Sequence, residues 1–199
     1  MADETGSATA PVDRSAYDCV TTTTALDAWI AEAHEAGVIA VDTETDALSA
    51  CGANLVGVSL ATAPGRACYI PLQHRGGDGG LFDEGLLADQ IPLAKAVAAL
   101  KPLLADSGVL KIGQNLKYDL AVLSRYGINV APYDDTMLIS YVLDAGKGGH
   151  GMDELARRHL GHQPITFSDV TGTGRAKITF EKVPLDKATA YAAEDADVT

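Results

Sequence analysis

The segment VIAVDTETDA, residues 38–47, starts as an apolar strand and ends in three carboxylates, Asp42, Glu44 and Asp46. Residues two apart on a strand face the same side of a sheet, so Asp42 and Glu44 are expected to project together near the end of this strand. Two carboxylates that close repel each other unless positive charge lies between them. Taken alone, the pair is more simply explained by a solvated strand end than by a functional site.

The sequence on either side of this strand predicts an α/β fold, with a mixed β-sheet flanked by α-helices. Two further apolar segments follow the strand at short spacing, separated by Gly-containing turns, which is typical of an antiparallel meander. Residues 73–85 and 165–183 are rich in glycine or threonine and are expected to be loops. The predicted strands are residues 38–44, 54–62, 66–72 and 109–115, and the predicted helices are residues 21–37, 92–106, 116–127, 133–146, 150–161 and 184–199.

Composition and charge exclude several classes of protein. The chain is 47% hydrophobic and 21% charged, as in globular proteins, and no segment approaches the ~20 uninterrupted apolar residues of a membrane span. The three cysteines lack CxxC spacing, which argues against a disulfide framework or a zinc site. The net charge of −12 argues against a broad basic surface for duplex DNA. Divalent cations held by converging carboxylates would nevertheless offer phosphate a local binding place.

The two ends of the chain differ in character from its middle. Residues 1–15 are small, polar and proline-containing, which predicts a flexible tail or linker before one domain over residues 16–199. The last predicted helix has no glycine, asparagine or cation in its final turn. We therefore expect this helix to be truncated and the chain to derive from a longer protein.

Two predicted helices each place an aspartate four residues after another polar side chain. Asn115 and Asp119 lie one turn apart on one helix face, and so do Tyr191 and Asp195. Each pair also has a structural explanation, because Asp119 could pair with Lys117 and Tyr191 could belong to a core stripe. Neither pair alone indicates a function.

Taken together and in this order, the segments VDTETD, GQNLKYD and YAAEDAD resemble the three motifs of proofreading exonucleases that use four acidic residues and a tyrosine. The chain is most similar to the 3′–5′ exonuclease domain of bacterial DNA polymerase I, from about residue 17 to its end. The resemblance implies a ribonuclease-H-like fold in a bacterial protein, and the polar, acidic N-terminus, unlike a signal peptide, predicts a cytoplasmic location without a membrane partner. It also implies a polymerase domain in the same full-length polypeptide, which this sequence lacks.

The resemblance further implies a site for two divalent metal ions, Mg²⁺ or Mn²⁺. Asp42 would bridge both ions, while Glu44 and Asp195 would complete the ion that activates water. Asp119 would hold the other ion, directly or through water. Tyr191 would orient the attacking water together with Glu44, because a tyrosine with an ordinary pKa near ~10 is a poor base at neutral pH.

The family also suggests where a nucleic acid strand binds. Thr45, Leu48 and Phe167 match positions that touch the terminal nucleotides, the last two by apolar or stacking contact with bases. Stacking tolerates any base, which suits an enzyme that removes any mispaired nucleotide. A core aromatic under a loop is an equally good explanation of Phe167. Further matches near the bound strand are Gln114, Asn115 and Tyr118.

These observations lead to one main hypothesis and two alternatives. The main one is a metal-dependent 3′–5′ exonuclease that acts on the 3′ ends of single-stranded or frayed DNA, releases nucleoside monophosphates and proofreads for a DNA polymerase I. The nearest alternative is an RNA-trimming exonuclease of the ribonuclease D type, which shares the motifs. The other is a non-catalytic structural module of a polymerase.

Overall fold

The computed structural model describes residues 12–76 and 85–199 and contains a six-stranded mixed sheet in the order β1-β4-β3-β2-β5-β6. β2, β3 and β4 form the predicted antiparallel meander, whereas β5 pairs with β2 in parallel, as do β6 with β5 and β1 with β4. The strands are β1 (Asp18–Cys19), β2 (Val38–Thr45), β3 (Leu55–Ala63), β4 (Arg66–Pro71), β5 (Leu110–Gly113) and β6 (Tyr133–Asp135).

Helices cover both faces of this sheet. One face packs against α1, α2 and α3 through a large core that includes Trp29, Val41 and Leu103. α7 covers the other face, where alanines such as Ala192 and Ala196 let the helix approach the strands closely. The α-helices are α1 (Thr23–Ala36), α2 (Leu93–Ala105), α3 (Lys117–Arg125), α4 (Thr136–Leu143), α5 (Met152–Leu155), α6 (Phe167–Thr171) and α7 (Leu185–Val198).

The gap between β2 and β5 creates the space for a site. These strands pair only from Val38 to Ala40, so within the described ranges the rest of β2 has no strand on that side. The first turn of α3 lies beside this open edge, and Thr43 of β2 donates its backbone N–H to Asp119 of α3 at 3.1 Å. The end of β2 is therefore bounded by the start of α3 at its open edge and by α7 on one face of the sheet.

The helix predicted over residues 133–146 begins later than expected. Residues 133–135 form the short edge strand β6, and the helix starts at Thr136 because the Asp135 carboxylate accepts hydrogen bonds from the N–H groups of Met137 and Leu138. The same carboxylate accepts from the N–H groups of Asn115 and Leu116. Asp135 therefore fixes the starts of both α3 and α4.

Other differences concern short elements. The predicted loop over residues 165–183 contains α6, which starts with a capping box of Thr166 and Asp169. The predicted helix 150–161 starts at Met152 and widens into a π-type turn at Ala156–Leu160. None of the helices in the described part of the chain is long and apolar enough to cross a membrane.

Two predictions fall largely on residues outside the described ranges. They are the tail over residues 1–15, of which residues 1–11 are not described, and the Gly-rich loop 73–85, of which residues 77–84 are not described. Residues 14–16 form a 3₁₀ turn, and the Arg14 guanidinium contacts the Glu194 carboxylate at 2.6 Å. The domain boundary after residue 15 stays a prediction.

Gly57 of β3 is expected to be needed for packing behind the site. It pairs with Glu44 across the sheet, and a Cβ atom there would collide with the buried ring of Tyr69. We expect Gly57→Ala to lower the free energy of unfolding by about 1–3 kcal/mol, as overpacking does, in a chemical denaturation experiment. Gly52→Ala is the matched control, because nothing lies near its Cβ position. Equal effects of both substitutions would contradict this account.

Candidate active site

Three carboxylates converge at the end of β2. Asp42 and Glu44 project from the face of β2 that α7 covers, and Asp195 reaches them from α7, with one oxygen of each residue within 4.8 Å of the others. Glu44 and Asp195 are each only 7% exposed. In residues 12–76 and 85–199, no Lys, Arg or His forms an ion pair with any of the three. The fold thus brings together three of the four predicted acidic residues.

Asp119 lies next to this cluster but is held differently. One of its carboxylate oxygens accepts hydrogen bonds from the Thr43 backbone N–H and, at 2.5 Å, from the Thr43 hydroxyl. Its charge contributes to raising the pKa values of Asp42 and Glu44, so it acts on the same site. Thr43 was not predicted as a site residue, because its side chain faces away from the carboxylates on the same strand.

The electrostatics of the cluster favour a bound cation. Burial, followed by repulsion from neighbouring carboxylates, raises the pKa values of Asp42 and Glu44 well above their usual range. Burial also raises the pKa of Asp195 to about 8 and that of Asp119 to about 6. Carboxylate oxygens are the ligands that Mg²⁺ and Mn²⁺ prefer, so this donor set fits a hard divalent ion.

Tyr191 lies one helical turn before Asp195 on α7, as predicted, and the Asp195 charge contributes to raising its pKa. Burial and the nearby carboxylates raise the pKa of Tyr191 far above its usual value. The phenol therefore stays protonated and can donate a hydrogen bond, but cannot act as a base at neutral pH. Its ring packs against Phe167 and Phe180 at centroid distances of 6.1 and 5.8 Å.

Glu194, the residue before Asp195 on α7, supports the site and was missed in the sequence. Its side chain is fully buried and accepts hydrogen bonds from the Arg14 guanidinium at 2.6 Å and from the Ile165 N–H at 2.7 Å. It also contacts the His162 imidazole at 2.7 Å. These bonds tie α7 to the start of the domain and to the segment before α6. The position of Asp195 is fixed by its neighbour.

A cleft of about 350 Å³ opens beside the carboxylates, between the end of β2 and the segment around α6. Thr45, Leu48, Tyr118 and Phe167, four of the six predicted substrate residues, line it. Leu48 is 96% exposed and Phe167 is 39% exposed, while Tyr118 donates to the Ala47 carbonyl at 2.6 Å. Phe167 therefore satisfies both explanations given above, with its ring packed on an aromatic cluster yet open to the cleft.

The structure does not bring the other two predicted substrate residues into this cleft. The Gln114 amide donates to the His150 carbonyl at 2.9 Å and accepts from the Thr136 hydroxyl at 2.7 Å, so both ends of its side chain are used internally. Asn115 precedes α3 with a positive φ of 57°, a conformation that asparagine tolerates better than most residues. Both residues shape the start of the helix that carries Asp119.

The chain is similar in sequence to known polymerases. Residues 17–199 match the sequence pattern of a family described as 3′–5′ exonuclease. DNA polymerase I of Rhizobium leguminosarum is 53% identical over 96% of this chain, and that of Pseudomonas aeruginosa is 42% identical over 100% of it. These matches cover 20% and 21% of the two polymerases. The chain thus spans about a fifth of the length of the curated relatives it matches.

Solved structures of nucleases share the fold. Escherichia coli RNase D, described as an exoribonuclease, has a TM-score of 0.62 at 19% identity, covering 92% of this chain and 42% of that one. Brucella melitensis NrnC with bound Mg²⁺ has a TM-score of 0.58 at 20% identity, covering 91% and 73%. At these identities the likeness confirms the predicted ribonuclease-H-like α/β fold alone. The sequence matches show more: this chain belongs to the 3′–5′ exonuclease family that is found within DNA polymerase I.

Proposed function

We propose that this domain is a divalent-metal-dependent 3′–5′ exonuclease that hydrolyses the terminal phosphodiester bond of single-stranded or frayed DNA and serves as the proofreading part of a DNA polymerase I. The observation that carries the proposal is the convergence of Asp42 with the buried Glu44 and Asp195, without a cationic partner among the described residues. Burying several negative charges together costs free energy unless they bind cations. The cluster lies beside an open cleft, so a nucleic acid strand can reach it.

In this proposal Asp42, Glu44 and Asp195 would hold one divalent ion, and Asp119 would help Asp42 to hold a second. Bound divalent ions would lower the pKa of water and stabilise charge on the phosphoryl and leaving oxygens. The hydrogen bonds from Thr43 to Asp119 orient that carboxylate and leave its other oxygen available for a ligand. A hydrogen bond of this kind behind a metal ligand fixes its orientation.

The reaction adds water to the terminal phosphorus and breaks the bond to the preceding 3′ oxygen, which releases a nucleoside 5′-monophosphate. In this proposal the Tyr191 hydroxyl positions the water with Glu44, because the protonated phenol is a donor and the carboxylate an acceptor. Tyr191 lies one turn from Asp195 on α7, and its ring is packed against Phe167 and Phe180, which keeps the hydroxyl at the site. Positioning of this kind reduces the entropic part of the barrier.

DNA is the proposed substrate because the two relatives named above are DNA polymerases. A proofreading role also needs a polymerase active site in the same polypeptide. The two relatives are about five times longer than the matched region, which leaves room for such a polymerase domain. The two alternatives to this proposal are an RNA-trimming exonuclease and a purely structural module.

The test follows 5′-labelled single-stranded DNA and RNA of the same sequence with Mg²⁺, with Mn²⁺ and with EDTA. Stepwise shortening of the DNA from its 3′ end, only with a metal ion, would support the proposal. Faster shortening of the RNA would favour the ribonuclease D alternative. An intact oligonucleotide with a folded protein, as judged by circular dichroism, would favour the structural module.

Tyr191→Phe is expected to lower kcat by about 10- to 100-fold with little change in KM, since the substitution removes the positioning hydroxyl and keeps the ring. The aromatic contacts with Phe167 and Phe180 should preserve the fold. The measurement is steady-state hydrolysis of single-stranded DNA. Tyr133→Phe, on the exposed edge strand β6, is the matched control. An unchanged kcat in Tyr191→Phe would contradict the role proposed for this hydroxyl.

A further inference from the structure

The charge of the cleft presents a problem for a polyanionic substrate. In the part of the chain that the structure describes, the cleft between Leu48 and Phe167 is lined by two acidic residues, Glu44 and Asp46, and by one basic residue, Lys177. The protein as a whole carries a net charge of −12. A nucleic acid strand needs cationic partners for its phosphates, so the one basic side chain at this cleft is of interest.

Lys177 is held at the cleft by its neighbours in the chain. It follows the 3₁₀ turn Gly174–Ala176, and the next residue, Ile178, donates its N–H to the Thr171 carbonyl at 2.9 Å. Thr171 is buried at the end of α6 and its hydroxyl donates to the Phe167 carbonyl at 2.8 Å. These bonds close the loop and anchor it to the helix that carries Phe167.

The Lys177 ammonium group has no carboxylate partner among residues 12–76 and 85–199. Its nitrogen lies 5.4 Å from the centre of the Phe167 ring, a cation–π contact that is weak at an exposed site. By contrast, Arg66 lies over Trp29 and is also paired with Glu32 and Asp18. The Lys177 charge is therefore available to a ligand at small cost.

We propose that Lys177 binds a backbone phosphate of the strand in the cleft and that it leaves the Phe167 ring to do so. This inference rests on the proposed function. The ring face that the ammonium group leaves becomes free for a base, so one movement provides both a phosphate contact and a stacking contact. Neither contact reads the base sequence, which suits removal of any terminal nucleotide. Lys177 is thus a substrate-binding residue and takes no part in bond cleavage.

The test measures the affinity for a fluorescent single-stranded oligonucleotide whose 3′-terminal linkages are phosphorothioates, so that they resist hydrolysis, with Mg²⁺ at several salt concentrations. Lys177→Gln is expected to raise Kd by about two- to fivefold, as for loss of an exposed charge pair. It is also expected to reduce the slope of log Kd against log salt by about 0.7, the value for one phosphate contact on a single strand. Lys177→Arg should restore both values.

Lys95→Gln, which removes the same charge from the exposed surface of α2, is the matched control and should leave the slope unchanged. An unchanged slope in Lys177→Gln, or an equal loss in Lys95→Gln, would overturn the proposal, because either result would mean that no phosphate is bound at this position. Hydrolysis of an unmodified oligonucleotide is measured separately. A wild-type protein that binds but does not shorten DNA would refute the proposed exonuclease and leave the slope comparison to decide the role of Lys177.

Discussion

Asp42→Asn is expected to lower kcat for single-stranded DNA by at least about 10³-fold and, at the same time, to stabilise the metal-free domain. The loss of activity is expected because an Asp42 oxygen lies within 4.8 Å of oxygens of both Glu44 and Asp195. The charge of Asp119 also raises the pKa of Asp42, so this residue links all four carboxylates. An asparagine keeps the shape of the side chain but removes the charge that would hold divalent ions.

The gain in stability has the same physical origin. Without a metal ion, the partly buried Asp42 carboxylate either stays charged beside other carboxylates or takes up a proton, and both states cost free energy relative to the unfolded chain. The neutral amide of the Asp42→Asn variant carries neither cost, so we expect the free energy of unfolding in EDTA to rise by about 1–2 kcal/mol. Chemical denaturation and the hydrolysis assay provide the two measurements.

Asp27→Asn is the control, because this exposed carboxylate on α1 is removed with the same change in net charge. It should alter neither activity nor stability. If Asp42→Asn were inactive and also less stable in EDTA, its inactivity could be explained by misfolding, and the account of a strained, cation-requiring cluster would be wrong.

The parts of the site that the sequence predicts are those set by local periodicity. Alternation along β2 places Asp42 and Glu44 on one face, and the helical repeat of α7 places Tyr191 and Asp195 one turn apart. That these elements meet is not evident from periodicity, and the expectation came from the resemblance to a family. The structure agrees for the three converging carboxylates.

The parts that the sequence does not predict depend on contacts between distant residues. The hydrogen bonds of Thr43 to Asp119 arise because β5 stops pairing with β2 after Ala40, and no local pattern marks that point. Strand β6 has three residues, too few for a periodic signal. The buried network around Glu194 joins residues that are 29 to 180 positions apart. By contrast, Asp135 is a residue type that typically caps a helix N-terminus, so the start of α4 could have been predicted. The helical pattern that begins at residue 133 hid this start.

The pH dependence of stability gives the second large effect. Asp195 has its pKa raised to about 8 in the folded protein, from an ordinary value of 3.8, so between these values the folded state binds more protons than the unfolded state. Stability must then fall as the pH rises through this range. His74 has the opposite effect below pH 6.5, because burial lowers its pKa to about 4, and protonation there favours unfolding. Between pH 6.5 and pH 8, the stability therefore depends on the carboxylates without an opposing contribution from His74.

We expect the free energy of unfolding in EDTA to fall by roughly 2 kcal/mol or more from pH 6.5 to pH 8, because Asp195 alone contributes about 1.4 kcal/mol per pH unit and Asp42 and Glu44 act in the same direction. Saturating Mg²⁺ or Mn²⁺ should reverse this trend, since metal ions bind the deprotonated carboxylates and stabilise only the folded state. Denaturation curves at the two pH values, with metal and with EDTA, measure both effects. The Asp27→Asn variant should follow the wild type, whereas Asp195→Asn should weaken the dependence and leave the part that Asp42 and Glu44 contribute. A metal-free domain that became more stable towards pH 8 would show that these carboxylates are already compensated by other groups, and the cluster would then have no need of a cation.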